Sequence, residues 1–186
     1  MSGVNVSAWD VSNCNKFEKT FYKCKNFNCD LSNWEIKRRA NLKFMFGFCD
    51  GVTSDTFKKW GWELTDNQKE FIIVQQYKPK DKQELLEILG KIYGYIDNLN
   101  CIDVSNVTDF SYIFYNFNDK NIDISKWNVG NGVNFSGMFL GYELFNCDLS
   151  NWNVSNGKDF SKMFYNCKVF TSDLSRWNVS NGENFY

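Results

Sequence analysis

Residues Trp152–Arg176 read WNVSNGKDFSKMFYNCKVFTSDLSR, and close copies of this text return at a spacing of 25. Trp127, Trp152 and Trp177 are 25 apart, as are Trp9 and Trp34; Trp60 follows Trp34 at 26. Ile102 stands 25 before Trp127 and takes the Trp place. With that place numbered offset 0, offset 12 is Phe at Phe21, Phe46, Phe114, Phe139 and Phe164. Offset 21 is Asp at Asp30, Asp55, Asp123, Asp148 and Asp173. A period of this size marks units that cannot bury an apolar face alone and must stack on their neighbours.

Within one copy, Trp-Asn-Val-Ser alternates apolar and polar, the pattern of a short strand with Trp and Val inward. Phe160, Met163 and Phe164 then fall at i, i+3, i+4, one face of a short helix or 3-10 turn. Asp109, Asn134 and Asp159 precede these stretches as N-cap candidates, because their side chains can accept orphan N–H groups. The expected fold is therefore a repeat solenoid of short parallel strands and short helical turns. The Asn-Gly pairs at 131–132, 156–157 and 181–182 are not read as hairpins, since strands one repeat apart run parallel. Their Gly is expected to supply a positive φ at a coil corner.

Periodicity breaks between Trp60 and Ile102, a stretch that holds the only Pro, Pro79. Asp81-Lys-Gln-Glu84 is a capping-box pattern, and Leu85, Ile88, Leu89 and Ile92 follow at helical spacing. A helix over 79–93 is expected to cap the open end of a second array. The chain divides on this reading into 1–62, the end of a first array; 63–101, a connector with the capping helix; and 102–186, a second array ending inside a repeat. The uncapped C-terminal coil is a candidate surface for end-to-end self-association.

The chain has 186 residues, no His, and 21 basic against 22 acidic side chains. A formal charge of −1 gives no bulk electrostatic case for nucleic acid. The absence of His excludes His-based triads and most catalytic zinc sites. No apolar run approaches a membrane span, and Lys16, Glu18 and Lys19 stand where a signal peptide would be apolar. No catalytic, cofactor-binding or metal-ligating set is identified. The acids Glu63, Asp66, Glu70 and Glu84 of the connector lack an evident base partner, so no enzyme is expected. The Asp row at offset 21 leaves two readings: Asx-turns closing on backbone N–H groups, which is favoured, or a bound cation such as Ca²⁺. Cys24, Cys49 and Cys167 share offset 15, and Cys29 and Cys147 share offset 20. Core thiols are favoured over a Cys24–Cys49 disulfide.

Surface recognition is the function class that remains. The outward strand offsets carry Asp10, Asp103, Asn128 and Asn153, a flat polar strip. Offset 13 carries Tyr22, Tyr115 and Tyr165, and Tyr buries contact area at low entropy cost. These seven residues are the candidate partner-binding set. The expected function is a non-catalytic scaffold for protein contact or adhesion with an unknown protein partner. A carbohydrate-binding module using exposed aromatics is the alternative.

The texts Trp-Asn-Val-Ser-Asn-x-x-Asp-Phe-Ser-x-Met-Phe-Tyr-Asn-Cys and Asp-Leu-Ser-Asn-Trp resemble the BspA-like bacterial surface proteins. The likeness is to the branch whose repeat reads WDVSNVTxMSxMFxxCxxFNQDLSN, and it covers 9–60 and 102–186. Tyr77-Lys-Pro-Lys-Asp-Lys-Gln-Glu-Leu also resembles the helical start of arrays in that branch. The resemblance implies a leucine-rich-repeat-like solenoid, displayed on or secreted from bacterial cells and used for adhesion or host-protein contact. The chain departs from the pattern with Gly at offset 5 of the last copies and Lys37-Arg38-Arg39 where Ser-Asn-Val would stand.

Overall fold

The structure, a computed structural model, describes residues 5–49, 51–72, 77–94, 96–117 and 121–186. The chain forms two compact units, Met1–Gln75 and Gln76–Tyr186. Its helices are α1, Ser54–Lys59; α2, Asp66–Ile72; and α3, Lys82–Ile92.

The leucine-rich-repeat-like solenoid of parallel strands does not form: no strand is present among the described residues, and parallel pairing is confined to isolated bridges. Four residues at one-repeat spacing, Asp109, Asn134, Asp159 and Asn184, are joined by such bridges. The expected helical turns are absent too. Offsets 8 to 15 instead form a ribbon of consecutive turns, as in Tyr22 N–H to Lys19 O at 3.0 Å and Cys24 N–H to Phe21 O at 3.1 Å.

Backbone handedness is the cause. Offsets 10 and 14 have positive φ in each coil: Lys19 and Lys23, Phe44 and Phe48, Tyr112 and Asn116, Gly137 and Gly141, Lys162 and Asn166. A left-handed residue at every fourth position prevents both an extended strand and a right-handed helix. Every second N–H then leaves the coil in one direction. Phe110, Tyr112, Phe114 and Asn116 donate to the carbonyls of Asn134, Ser136, Met138 and Leu140, at 2.8, 3.1, 3.0 and 2.9 Å. Phe135, Gly137, Phe139 and Gly141 pass the same pattern on to Asp159, Ser161, Met163 and Tyr165. In the first unit, Phe17, Lys19, Phe21 and Lys23 donate likewise to Asn41, Lys43, Met45 and Gly47.

Aromatic columns fill the core of the second unit. Phe110, Phe135, Phe160 and Phe185 stack with centroids 5.4, 5.3 and 5.5 Å apart, and Phe114, Phe139 and Phe164 at 5.7 and 5.5 Å. Offset stacking at this range adds to the area each ring buries. The Trp side chains lock coils together through their indole N–H. Trp127, Trp152 and Trp177 donate to Leu99 O, Ile124 O and Leu149 O at 2.9, 3.2 and 3.0 Å.

The first unit breaks register where α1 begins. Asp55 lies inside that helix and pairs with Lys58 at 2.9 Å, so its copy of the Asp row makes no Asx-turn. Trp62, and not Trp60, sends its indole N–H to Leu31 O, at 3.3 Å. The α2 terminus then meets the ribbon: Phe46 N–H donates to Ile72 O at 2.9 Å. Buried Gln68 anchors α2 by donating to Ala40 O at 3.0 Å.

Within the second unit, α3 covers the first coil. Asp81 caps it by accepting Glu84 N–H at 3.0 Å, and Leu85, Leu89 and Ile92 are buried. Lys82 Nζ reaches Ser111 Oγ at 2.6 Å, while Tyr93 at the other end packs on Phe117 with centroids 4.0 Å apart. The helix therefore lies along the ribbon of that coil.

Candidate binding surface

In the polar strip Asp10, Asn128 and Asn153 are exposed and Asp103 is half-buried, and each also bonds to its own backbone. Asp10, Asp103 and Asn153 accept the N–H of Ser12, Ser105 and Ser155 at 3.0, 3.1 and 3.1 Å, and Asn128 accepts Gly130 N–H at 3.2 Å. Each is an Asx-turn that shapes a corner of its coil. Asp103 carries a second partner, Lys78 Nζ at 2.9 Å. Its carboxyl is held at about 2, first by the Ser105 hydroxyl and then by Lys78.

The offset-21 row follows the same logic. Asp30, Asp123, Asp148 and Asp173 accept from Ser32, Ser125, Ser150 and Ser175 at 2.9, 3.1, 2.9 and 2.9 Å. The carboxyls of Asp148 and Asp173 are held below the usual carboxylate range, chiefly by those backbone N–H groups. Among the described residues, no group of three His, Cys, Asp or Glu is placed to hold a metal ion. All seven cysteines are thiols, and at offset 15 the sulfur serves as a donor between coils: Cys49 to Phe21 O at 2.7 Å and Cys167 to Phe139 O at 3.2 Å. In the connector, Glu84 accepts Lys80 N–H at 3.0 Å, and the side chain of Glu70 lies outside the described residues.

The three tyrosines have different surroundings. Tyr22 is half-buried against Phe48, with the Lys19 and Lys23 ammonium groups 5.5 and 5.3 Å from its ring. Such contacts favour a cation over an aromatic face. Tyr115 and Tyr165 are 51% and 67% exposed, on alternate coils of the second unit, with Leu140 at the same offset between them. Tyr112 extends this ridge, edge-on to Tyr115 at 6.2 Å. Its ring occupies the space where a Cβ of Gly137 would lie, with Cε1 2.4 Å from that position. Leu144 and Val169, both at offset 17, are also exposed. Sequence reading missed Tyr112, Leu144 and Val169; the available signal was apolar character recurring at an outward offset. A polar margin flanks the ridge, including the Lys168–Glu143 pair at 2.8 Å.

At the last coil, an apolar hollow of about 440 Å³ is lined by Phe160, Phe164, Leu174, Trp177, Phe185 and Tyr186 among others. Phe164 and Asn166 stand where preceding coils send N–H groups onward, and theirs meet no acceptor among the described residues.

Within each unit, then, the chain is built of 25-residue coils hydrogen-bonded face to face, and in the second unit they carry an aromatic ridge on their outer side. It belongs to the family described as Mycoplasma protein of unknown function, DUF285, whose model matches residues 3–81 and 84–186. No curated protein and no solved structure matches the chain. Among the described residues, no helix is long and apolar enough to cross a membrane.

Proposed function

We propose that the chain is a non-catalytic scaffold for contact with another protein, of the adhesive, surface-displayed kind that its likeness to BspA-like proteins implies. The observation carrying this reading is the ridge of Tyr112, Tyr115, Leu140 and Tyr165. Interfaces draw their energy from a few aromatic anchors with a polar rim, and this ridge has that composition. The backbone of each coil that carries it is tied by hydrogen bonds to a neighbouring coil, so docking costs little ordering. Self-association through the hollow at Phe185 and Tyr186 is a second contact of the same kind.

The test is binding of the purified chain to a panel of purified extracellular host proteins. Saturable binding to at least one is expected. The pair Tyr115→Ser and Tyr165→Ser should weaken it at least about tenfold, as hot-spot loss does, with unchanged circular dichroism and Tm. Binding to none, or binding indifferent to both substitutions, refutes the reading.

A further inference from the structure

Two columns of side chains bound a trough on the outer side of the second unit. Offset 10 carries Tyr112, Gly137 and Lys162, and offset 13 carries Tyr115, Leu140 and Tyr165. Because Gly137 has no side chain, Tyr112 lies over it: ring carbons Cδ1, Cε1 and Cζ are 2.7, 2.4 and 2.9 Å from where a Gly137 Cβ would stand. Three consecutive ring atoms so near one point place that point over the ring face, not beyond its edge. One face of Tyr112 is therefore packed down, and the ring, 49% exposed, opens the other outward. Tyr115 stands against it at 82°, centroids 6.2 Å apart. The two rings make a floor and a wall. This corner lies inside the stack: Tyr112 N–H donates to Ser136 O of the following coil at 3.1 Å, and on the other side Lys82 of α3 holds Ser111.

The trough carries positive charge. Lys162, two coils beyond Tyr112 in the same column, is exposed and makes no ion pair among the described residues. Its backbone is held, since its N–H donates to Tyr186 O at 3.0 Å. Glu143 at the margin is taken by Lys168 at 2.8 Å. Charge therefore favours a neutral or acidic chain and disfavours a cation, although aromatic faces alone would accept one. Polyproline II segments dock in aromatic-lined grooves and are ordered before they bind. One turn is three residues and about 9 Å long. Each coil step measures 5.4 or 5.3 Å between the stacked rings of Phe110, Phe135 and Phe160, so two steps match one such turn within the reach of a lysine side chain. The tyrosine hydroxyls can donate to the peptide carbonyls, which a polyproline II chain leaves unbonded.

We infer that the trough over Tyr112 and Gly137 binds a proline-rich extended segment of a partner protein, one proline seated on Tyr112 against Tyr115 and an acidic residue three positions away pairing with Lys162. The inference rests on the protein-contact reading of this ridge and gives the partner a chemical class.

The experiment titrates the full chain into labelled proline-rich peptides, identical but for Glu or Lys at one central position, and into a Gly-Ser peptide carrying the same Glu, following fluorescence anisotropy. Saturable binding of the Glu peptide is expected, with the Gly-Ser peptide at least about tenfold weaker. Tyr112→Asn should weaken binding at least about tenfold at unchanged Tm, since Asn accepts a positive φ, as Asn116 does at offset 14. Lys162→Glu should reverse the preference, so that the Lys peptide binds tighter. No binding of the Glu peptide, equal binding of the Gly-Ser peptide, indifference to Tyr112→Asn, or a preference that Lys162→Glu leaves unchanged each overturns the assignment. Host-protein binding that needs Tyr115 and Tyr165 but is not displaced by excess Glu peptide also overturns it, and leaves the protein-contact reading standing.

Discussion

A methyl group added at Gly157 would fall 2.2 Å from Phe160 Cζ and 3.0 Å from Val154 O. Phe160 cannot yield, because it is stacked between Phe135 and Phe185. Gly157→Ala should therefore destabilise the second unit by about 1–3 kcal/mol, measured by urea unfolding. Gly182→Ala makes the same contact with Phe185, which is 58% exposed and can swing away, so its cost should be smaller. Equal costs would show that the ring is not the obstacle. These glycines were legible in the sequence as special positions, but for the wrong reason. None of Gly132, Gly157 and Gly182 has a positive φ. Each is needed because the Phe three residues later lies over its Cα, a closeness that spacing alone does not display. The left-handed positions fall instead at offsets 10 and 14, largely on Lys, Phe, Tyr and Asn. Asn and Gly tolerate a positive φ, but Lys, Phe and Tyr seldom announce one, which is why strand and helical turn were both expected and neither formed.

Among the elements, α3 was readable because Asp81, Glu84 and the Leu85–Ile92 spacing agree on one helix. The short α1 and α2 were not: few residues define each, and Trp60 sits one position from the repeat that Trp62 serves. Of the candidate surface, the exposure of Tyr115 and Tyr165 and of most strip residues was legible from their offsets, whereas the bonds from the strip side chains to their own backbone N–H groups were not assigned to them. The segment leading into α3 is tied to the first coil of its unit by Lys78 and Asp103. Asp103 has a folded value of about 2, below the unfolded carboxyl at about 3.9. Its contribution is therefore complete above about pH 4 and is lost as pH falls toward 2. Asp103→Asn keeps the acceptor for Ser105 and deletes the charge. Between pH 5 and 2 the parent protein should lose more stability than this variant, compared by urea midpoints at each pH. Identical losses would place the acid sensitivity elsewhere.

At the scale of the molecule, the self-association proposed through the hollow beside Phe185 and Tyr186 is open to direct measurement. Both side chains are exposed, at 58% and 95%. Sedimentation velocity up to about 100 μM should show species larger than the monomer. The double substitution Phe185→Asp and Tyr186→Asp should return the protein to monomer. A parent chain that stays monomeric throughout removes this contact. The shared direction of the ribbon hydrogen bonds has a further consequence. The peptide whose N–H belongs to Phe135 also carries the Asn134 carbonyl, so it accepts from Phe110 and donates to Asp159. Peptides joined in this manner point head to tail along the stacking axis, each with a dipole of about 3.5 D. Ordinary sheets alternate their dipoles and nearly cancel them. The ribbon of the second unit is thus polarised along the stack as a helix is along its axis, although its residues are not helical. Its positive side is the one toward which the ribbon N–H groups point, that of the following coil.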